Sequence, residues 1–231
     1  MKASSETLFS HTVAGILPSS TTDDLSERWR ALLTATLETT FHQLLYVRRL
    51  YPRSAFQSTR FQGVRCQECR HPVVASYIHD FVKTASQALL KNLADEIIFS
   101  IVDRQAPVER YRFAVAELQK EIACNDNSDA EKAAVVDCME RCMRDLILQI
   151  HSISIDDMPW SSTATFQLSL HVRSAPNDTT SPRLHKALNK GSWSTSSTDR
   201  PPTTIYPLYT CNLPVGSLEL SQEIIPPRQN M

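Results

Sequence analysis

The chain reads as an α+β domain, three helices laid on an antiparallel sheet, and its patterning says so in three ways. Apolar residues recur at helical spacing in three separate windows, each opened by a helix-start signal. Two runs of β character sit between the second and third windows. A strictly alternating run follows the third.

Residues 1–22 are rich in Ser and Thr without a sustained period, which predicts a flexible extension. Asp24 with Glu27 three residues on is a capping signal, and Trp29, Leu33, Leu37, Phe41, Leu44 and Leu45 then follow at helical spacing. This first helix is expected to stop near Tyr51-Pro52, because a residue before proline is pushed out of the α region. Pro52 to about Arg70 reads as a loop. Pro72 suits the first position of a second helix, with Val74, Tyr77, Ile78, Phe81, Val82 and Leu89 on one side. Glu96 to Val102 is too short for a helix and rich in β-branched residues, so it reads as a buried strand broken by Gln105-Ala106-Pro107. From Glu109, Tyr111, Phe113 and Val115 alternate with Arg110 and Arg112, completing a hairpin with one wet face. Ser128 with Glu131 opens a third helix through Val135, Met139, Cys142, Leu146 and Ile150. Phe166, Leu168, Leu170 and Val172 alternate with polar residues, the clearest strand of all.

After Arg173 the chain turns to Pro, Ser, Thr and Asn for about thirty residues, interrupted by Trp193. Apolar residues return at Ile205, Leu208, Leu213, Val215, Leu218 and Leu220. Either this is a disordered extension or it is a strap that crosses the domain and pairs as extra strands at its far end; the late apolar residues favour the strap. Trp193 is then an anchor onto the core, a hot spot for a ligand, or both.

Composition narrows the function. The chain has 231 residues, 42% of them hydrophobic, enough for one domain with tails. With 24 basic and 25 acidic residues the net charge is -1, so no global field draws it to nucleic acid or to a membrane. There is no apolar stretch of membrane-spanning length and no signal-peptide pattern at the start, which predicts an intracellular protein. Its six cysteines are therefore expected to be reduced thiols. The four glycines are isolated, so no phosphate-cradling loop can be drawn and nucleotide chemistry is disfavoured.

Candidate chemical sites are sparse. Cys66-Gln67-Glu68-Cys69 with His71 resembles half a zinc site but lacks a second ligand pair. Cys138 and Cys142 lie one helical turn apart, where small thiols fill core space. A Cys69/His71 nucleophile pair is the only catalytic alternative, and it lacks an orienting third group. Asp23-Asp24 and Asp156-Asp157 read as cap or loop carboxylates, and no hydrolase elbow or His-Glu-x-x-His helix occurs. No catalytic residue, metal or cofactor is expected. Arg48, Arg49, Arg53, Arg60, Arg65 and Arg70 crowd one helix end and loop with Glu68 as the single acid. They form either a solvated loop or a contact for an acidic partner or DNA; the near-zero net charge favours the former.

The run Leu44-Leu45-Tyr46-Val47-Arg48-Arg49-Leu50-Tyr51-Pro52 followed by Phe56-Gln57 resembles the end of the first helix in HORMA-domain proteins. Arg70-His71-Pro72 leading into Tyr77-Ile78, Ile97 to Asp103, and Pro107-Val108-Glu109-Arg110-Tyr111-Arg112-Phe113 resemble, within that family, the small non-catalytic subunit of DNA polymerase zeta. The resemblance spans roughly residues 23–225. It implies a HORMA core over 23–173, a safety belt over 174–225 and a short tail at 226–231. Such a belt closes over an extended, proline-containing peptide of a partner, packed by Tyr77 and Trp193 and expected to come from the polymerase zeta catalytic subunit. The resemblance also implies a second-partner surface for a scaffold translesion polymerase at Ile205, Glu219 and Ser221, where Glu219 and Ser221 depart from the family's amide and aromatic residues. It implies a homodimer through the third helix at Arg144 and Gln149, with Gln149 standing where the family has a lysine. Shieldin-like components and mitotic regulators are further implied partners, and nuclear work in translesion synthesis, with the cytoplasm as a second compartment, is the implied role. A spindle-checkpoint or meiotic HORMA adaptor is the alternative, and a zinc or thiol enzyme the third. Direct nucleic-acid and membrane binding are not expected.

Overall fold

The computed structural model describes residues 22–116, 129–153, 160–173, 204–213 and 216–226. In chain order these form α1 (Thr22–Val47), β1 (Phe56–Phe61), β2 (Val64–Cys69), α2 (Pro72–Leu90), β3 (Ala94–Asp103), β4 (Ala106–Ala116), α3 (Asp129–Ser152), β5 (Thr165–Val172), β6 (Thr204–Leu213) and β7 (Gly216–Ile224). The expected order of helix, helix, hairpin, helix, strand is present, with the starts of α1 and α3 within two residues of their expected capping positions.

A single five-stranded antiparallel sheet runs β5-β3-β4-β7-β6. Period-two alternation sorts its side chains. Ile97, Phe99, Ile101, Tyr111, Phe113, Leu168, Leu218 and Leu220 are buried on the helix side. Phe41 of α1 is the central knob of the core. Its ring meets Phe81 of α2 at 6.5 Å, Phe99 of β3 at 5.8 Å and Phe113 of β4 at 5.5 Å, all within the range of favourable aromatic pairing.

Proline does not end α1. The helix stops at Val47, where Leu50 N–H donates to the Leu45 carbonyl and Arg49 N–H to the Tyr46 carbonyl, with Arg49 at φ 50°. That pair of bonds is the Schellman closure, which needs one left-handed residue just past the helix. α2 ends the same way: Leu93 N–H reaches Ala88, Asn92 N–H reaches Leu89, and Asn92 takes φ 53°.

The expected loop at 52–70 is instead a second hairpin, β1–β2, with Phe61 facing Val64 across a two-residue turn. Gln62 (φ 46°) and Gly63 (φ 77°) supply the two positive φ angles of a tight hairpin turn. The outer edge of β2 is satisfied from outside the hairpin: Gln67 N–H donates to Gln43 Oε1 at 2.9 Å and Cys69 N–H to His42 Nδ1 at 3.3 Å. Residues Gln57 to Arg60 carry no apolar alternation, so the strand depends on those α1 acceptors, which no local pattern reveals.

The late apolar residues do pair as strands. β7 lies against β4 and β6 outside it, with Leu213, Leu218 and Leu220 in the core. Pro207, which has no N–H to give, sits in the outermost strand where a missing donor is tolerated. The expectation of six reduced thiols is corrected at one pair: Cys142 of α3 and Cys211 of β6 form a disulfide, their Cα atoms 6.3 Å apart. The two are 69 residues apart in sequence, and only the return of β6 against α3 brings them together. Cys66, Cys69 and Cys138 are free thiols, and Cys124 lies outside the described residues.

Candidate peptide-docking edge

The outer edge of β5 is the most promising site. β5 pairs only with β3 among the described residues, so its far side is an unpaired strand edge. Leu168 faces Phe99 in register, yet its N–H donates to the Tyr77 hydroxyl at 3.3 Å and so points away from β3. Antiparallel alternation then aims the main-chain groups of Phe166, Leu168, Leu170 and Val172 outward. Arg173 N–H, one residue on, turns inward to the Leu93 carbonyl, in keeping with that parity.

Aromatic side chains line the edge. Phe166 stacks on Phe99 at 5.5 Å and takes Tyr77 and Tyr51 edge-on at 5.7 and 6.4 Å. Tyr77 is 43% exposed, and Val73, one turn earlier on α2, is 70% exposed. Burial raises the Tyr51 phenol pKa, the neighbouring Cys69 adds to the rise, and a side-chain hydrogen bond with Thr165 opposes it. The Tyr51 ring therefore stays neutral beside Phe166. The sequence pointed to Tyr77; it did not single out Phe166, whose alternation marked it as a strand residue, or Val73.

The opposite edge is where the carboxy-terminal strands are fastened, and two polar clusters hold them. On the helix side Glu109 is buried and accepts from Arg48 at 2.6 Å, from the Tyr111 hydroxyl at 2.5 Å and from Gln222 Nε2 of β7 at 2.6 Å. Arg48 also lies over the Trp160 ring at 4.8 Å. Burial first, and the Glu109 charge second, push the Tyr111 phenol far above its ordinary pKa, so it stays a donor. On the other face Arg112 donates to Glu96 of β3 at 2.5 Å and to Glu223 of β7 at 2.8 Å. Charge-assisted bonds of this kind are stronger than neutral ones and fix register. Arg48 thus leaves the expected arginine patch: it is an internal ion pair.

The remaining expected site residues fall as follows. Trp193 lies outside the described residues, as do Asp156 and Asp157. Ile205, Glu219 and Ser221 share the face of the β6–β7 ribbon that turns away from the helices, with Ser221 between Arg112 and Pro207 and Ile205 52% exposed. Arg144 is exposed on α3 and Gln149 half-buried; the exposed apolar neighbour there is Leu148, one turn from Arg144. Cys66 and Cys69 leave β2 on opposite faces, and Cys66 donates to the Val64 carbonyl. The Cys69 thiol is buried whereas His71 is exposed ahead of α2, an arrangement that opposes a nucleophile–base pair.

Known proteins share this fold. The HORMA domain matches residues 30–203. The rat protein named mitotic spindle assembly checkpoint protein MAD2B is 30% identical over 147 residues, 62% of this chain and 65% of that protein. The human protein of the same name is 29% identical over the same span, and the DNA polymerase zeta processivity subunit of Schizosaccharomyces pombe is 28% identical over 99 residues, 39% of this chain and 46% of that one. The chain thus matches about 65% of the length of the MAD2B proteins. Among solved structures, C. elegans HTP-2 bound to a HIM-3 closure motif superposes with TM-score 0.63 at 12% identity, covering 90% of this chain and 98% of that one. A mitotic checkpoint complex chain gives 0.61 at 13% identity, covering 87% and 97%. The fold, the order of elements and the extent of the match all say that this chain belongs to the HORMA domain family.

Proposed function

We propose that the chain is a non-catalytic adaptor that takes an extended, proline-containing peptide onto the outer edge of β5 and holds it beneath a belt formed by residues 174–225. The observation that carries this reading is the pairing of the sheet: β5 leaves four residues of outward main-chain groups at one edge while β6 and β7 are already fastened at the other. β5 and β6 stand at opposite edges of the described sheet, and the stretch that joins them in sequence is the one this proposal assigns to the belt. Strand addition of this kind takes its affinity from main-chain hydrogen bonds and its selectivity from side-chain pockets. Val73, Tyr77 and Phe166 supply the pocket, and the solved HTP-2 complex with a closure motif supports the mode.

The ligand favoured is a segment of the DNA polymerase zeta catalytic subunit, a reading supported by the fission-yeast relative's name, with translesion synthesis in the nucleus as the setting. The face bearing Ile205, Glu219 and Ser221 serves a second partner, and α3 around Arg144 and Gln149 a homodimer. A second reading, in which the same edge takes a spindle-checkpoint ligand, is favoured by the names of the MAD2B relatives. Affinity purification followed by identification of the bound segment separates the two. Calorimetry with the polymerase peptide tests the site itself: Tyr77→Ala or Trp193→Ala weakens binding by about 2 kcal/mol, or roughly thirtyfold. Unchanged affinity in both variants contradicts the proposal.

A further inference from the structure

The β1–β2 hairpin carries a second surface that peptide trapping does not use. With Arg48 buried against Glu109, five arginines of the cluster remain, Arg49, Arg53, Arg60, Arg65 and Arg70, and all five are exposed. None of them pairs with a carboxylate among the described residues. Elsewhere arginines do: Arg28 with Glu140, Arg110 and Arg112 with Glu223, Arg141 with Asp137, Arg173 with Asp95. Glu68, the one acid in the stretch, accepts from Gln57 on the face of the hairpin opposite Arg60 and Arg65.

Arg60 and Arg65 are direct cross-strand partners. Like charges placed opposite one another destabilise a strand pair, and Arg65 finds only the Ser58 hydroxyl, at 2.8 Å. Arg49 and Arg53 precede β1 and Arg70 follows β2, and at this root Arg70 N–H bonds the Ala55 carbonyl. Tip and root are separated by the five residues from Arg65 to Arg70, roughly 16 Å at strand rise. That length matches about five nucleotide steps along one strand of a duplex. The floor beside Arg60 and Arg65, on the same face, is the cross-strand pair Ser58 and Gln67, residue types that donate to phosphate oxygens. Gln43 and His42 pin the hairpin to α1, so the surface is presented rigidly.

The composition also says what does not bind there. Among the described residues the exposed large apolar ones are Val73, Tyr77, Leu148, Ile205, Tyr206 and Ile224, and none lies on the hairpin. A protein interface needs an apolar or aromatic anchor at its centre and is depleted of charge there. The geometry points to the sugar-phosphate backbone of a nucleic acid, bound without regard to sequence through Arg49, Arg53, Arg60, Arg65 and Arg70. The net charge of -1 is no obstacle, because at physiological salt a charge is felt over about 8 Å and the patch acts alone at that range.

The test is fluorescence anisotropy of a labelled duplex of about 20 base pairs with the full chain, from 50 to 200 mM salt, without peptide. If all five arginines release counterions, the dissociation constant rises about 500-fold over that range. In Arg60→Gln/Arg65→Gln, with two contacts gone, the rise falls to about 40-fold, whereas Arg60→Lys/Arg65→Lys keeps the full dependence. Melting temperatures check the fold; the Gln pair, relieved of its like-charge contact, melts no lower than the parent. No duplex binding at 50 mM salt, an unchanged salt dependence in the Gln pair, or tighter binding to a polyglutamate peptide than to the duplex each overturns the proposal.

Discussion

Arg48→Ala is the sharpest probe of how the carboxy-terminal strands are fastened. Arg48 and Glu109 have side chains 8% and 2% exposed and meet at 2.6 Å. The same carboxylate accepts from Tyr111 and from Gln222, so one buried charge ties the end of α1 to β4 and β7. Removing the guanidinium leaves Glu109 with two neutral donors and no counter-charge, and uncovers the Trp160 face. Stranding a buried charge costs about 3–5 kcal/mol. In a chain of this length each kcal/mol lowers the melting temperature by about 2–4 °C, so a drop on the order of 10 °C is expected. Urea titration at neutral pH measures the free energy directly, and an unchanged m-value shows that the fold is otherwise intact. Arg48→Met with Glu109→Gln removes both charges while the new amide oxygen still accepts from Tyr111, so the double variant is expected to recover a good part of the loss. A cost below about 1 kcal/mol for Arg48→Ala, the scale of an exposed ion pair, refutes the reasoning.

Burial of His42 holds its pKa down at about 4, against 6.5 for a free imidazole, while its Nδ1 accepts from Cys69. The unfolded chain therefore takes up a proton below pH 6.5 and the fold only near pH 4, so stability is full above 6.5 and falls by about 3 kcal/mol on the way down. His42→Gln, which keeps an acceptor, flattens that part of the urea-midpoint profile; an identical slope in both proteins contradicts the assignment. The Cys142–Cys211 link closes a loop of 69 residues, for which chain entropy gives about 4 kcal/mol as an upper value. Reductant or Cys142→Ser is expected to lower the melting temperature, and an unchanged melt with both thiols titratable contradicts the pairing.

Much of this architecture was legible because it is written in period. The 3.6-residue spacing through Leu33, Leu37, Phe41 and Leu44 and the strict alternation of Phe166 to Val172 each describe one face buried in one core. What escaped was made by contacts between distant segments. β1 is polar along most of its length and holds its place through β2, which Gln43 and His42 anchor from α1. α1 ends at Val47, ahead of the stop that proline would impose, because Arg49 accepts a left-handed conformation. The Cys142–Cys211 bond and the Arg48–Glu109 pair join residues 69 and 61 positions apart, beyond any local signal. At the candidate edge, Tyr77 was expected through family resemblance, whereas its ring contact with Phe166 became visible only once α2 and β5 were seen side by side.

Hydrogen exchange at the β5 amides tests the central claim most directly. With a proline-containing ligand peptide bound, the outward N–H groups of Phe166, Leu170 and Val172 are expected to slow sharply, while Leu168, already bonded to Tyr77, changes least. Exchange that stays fast at those three amides under saturating peptide, with new protection on β6 instead, would contradict docking at this edge.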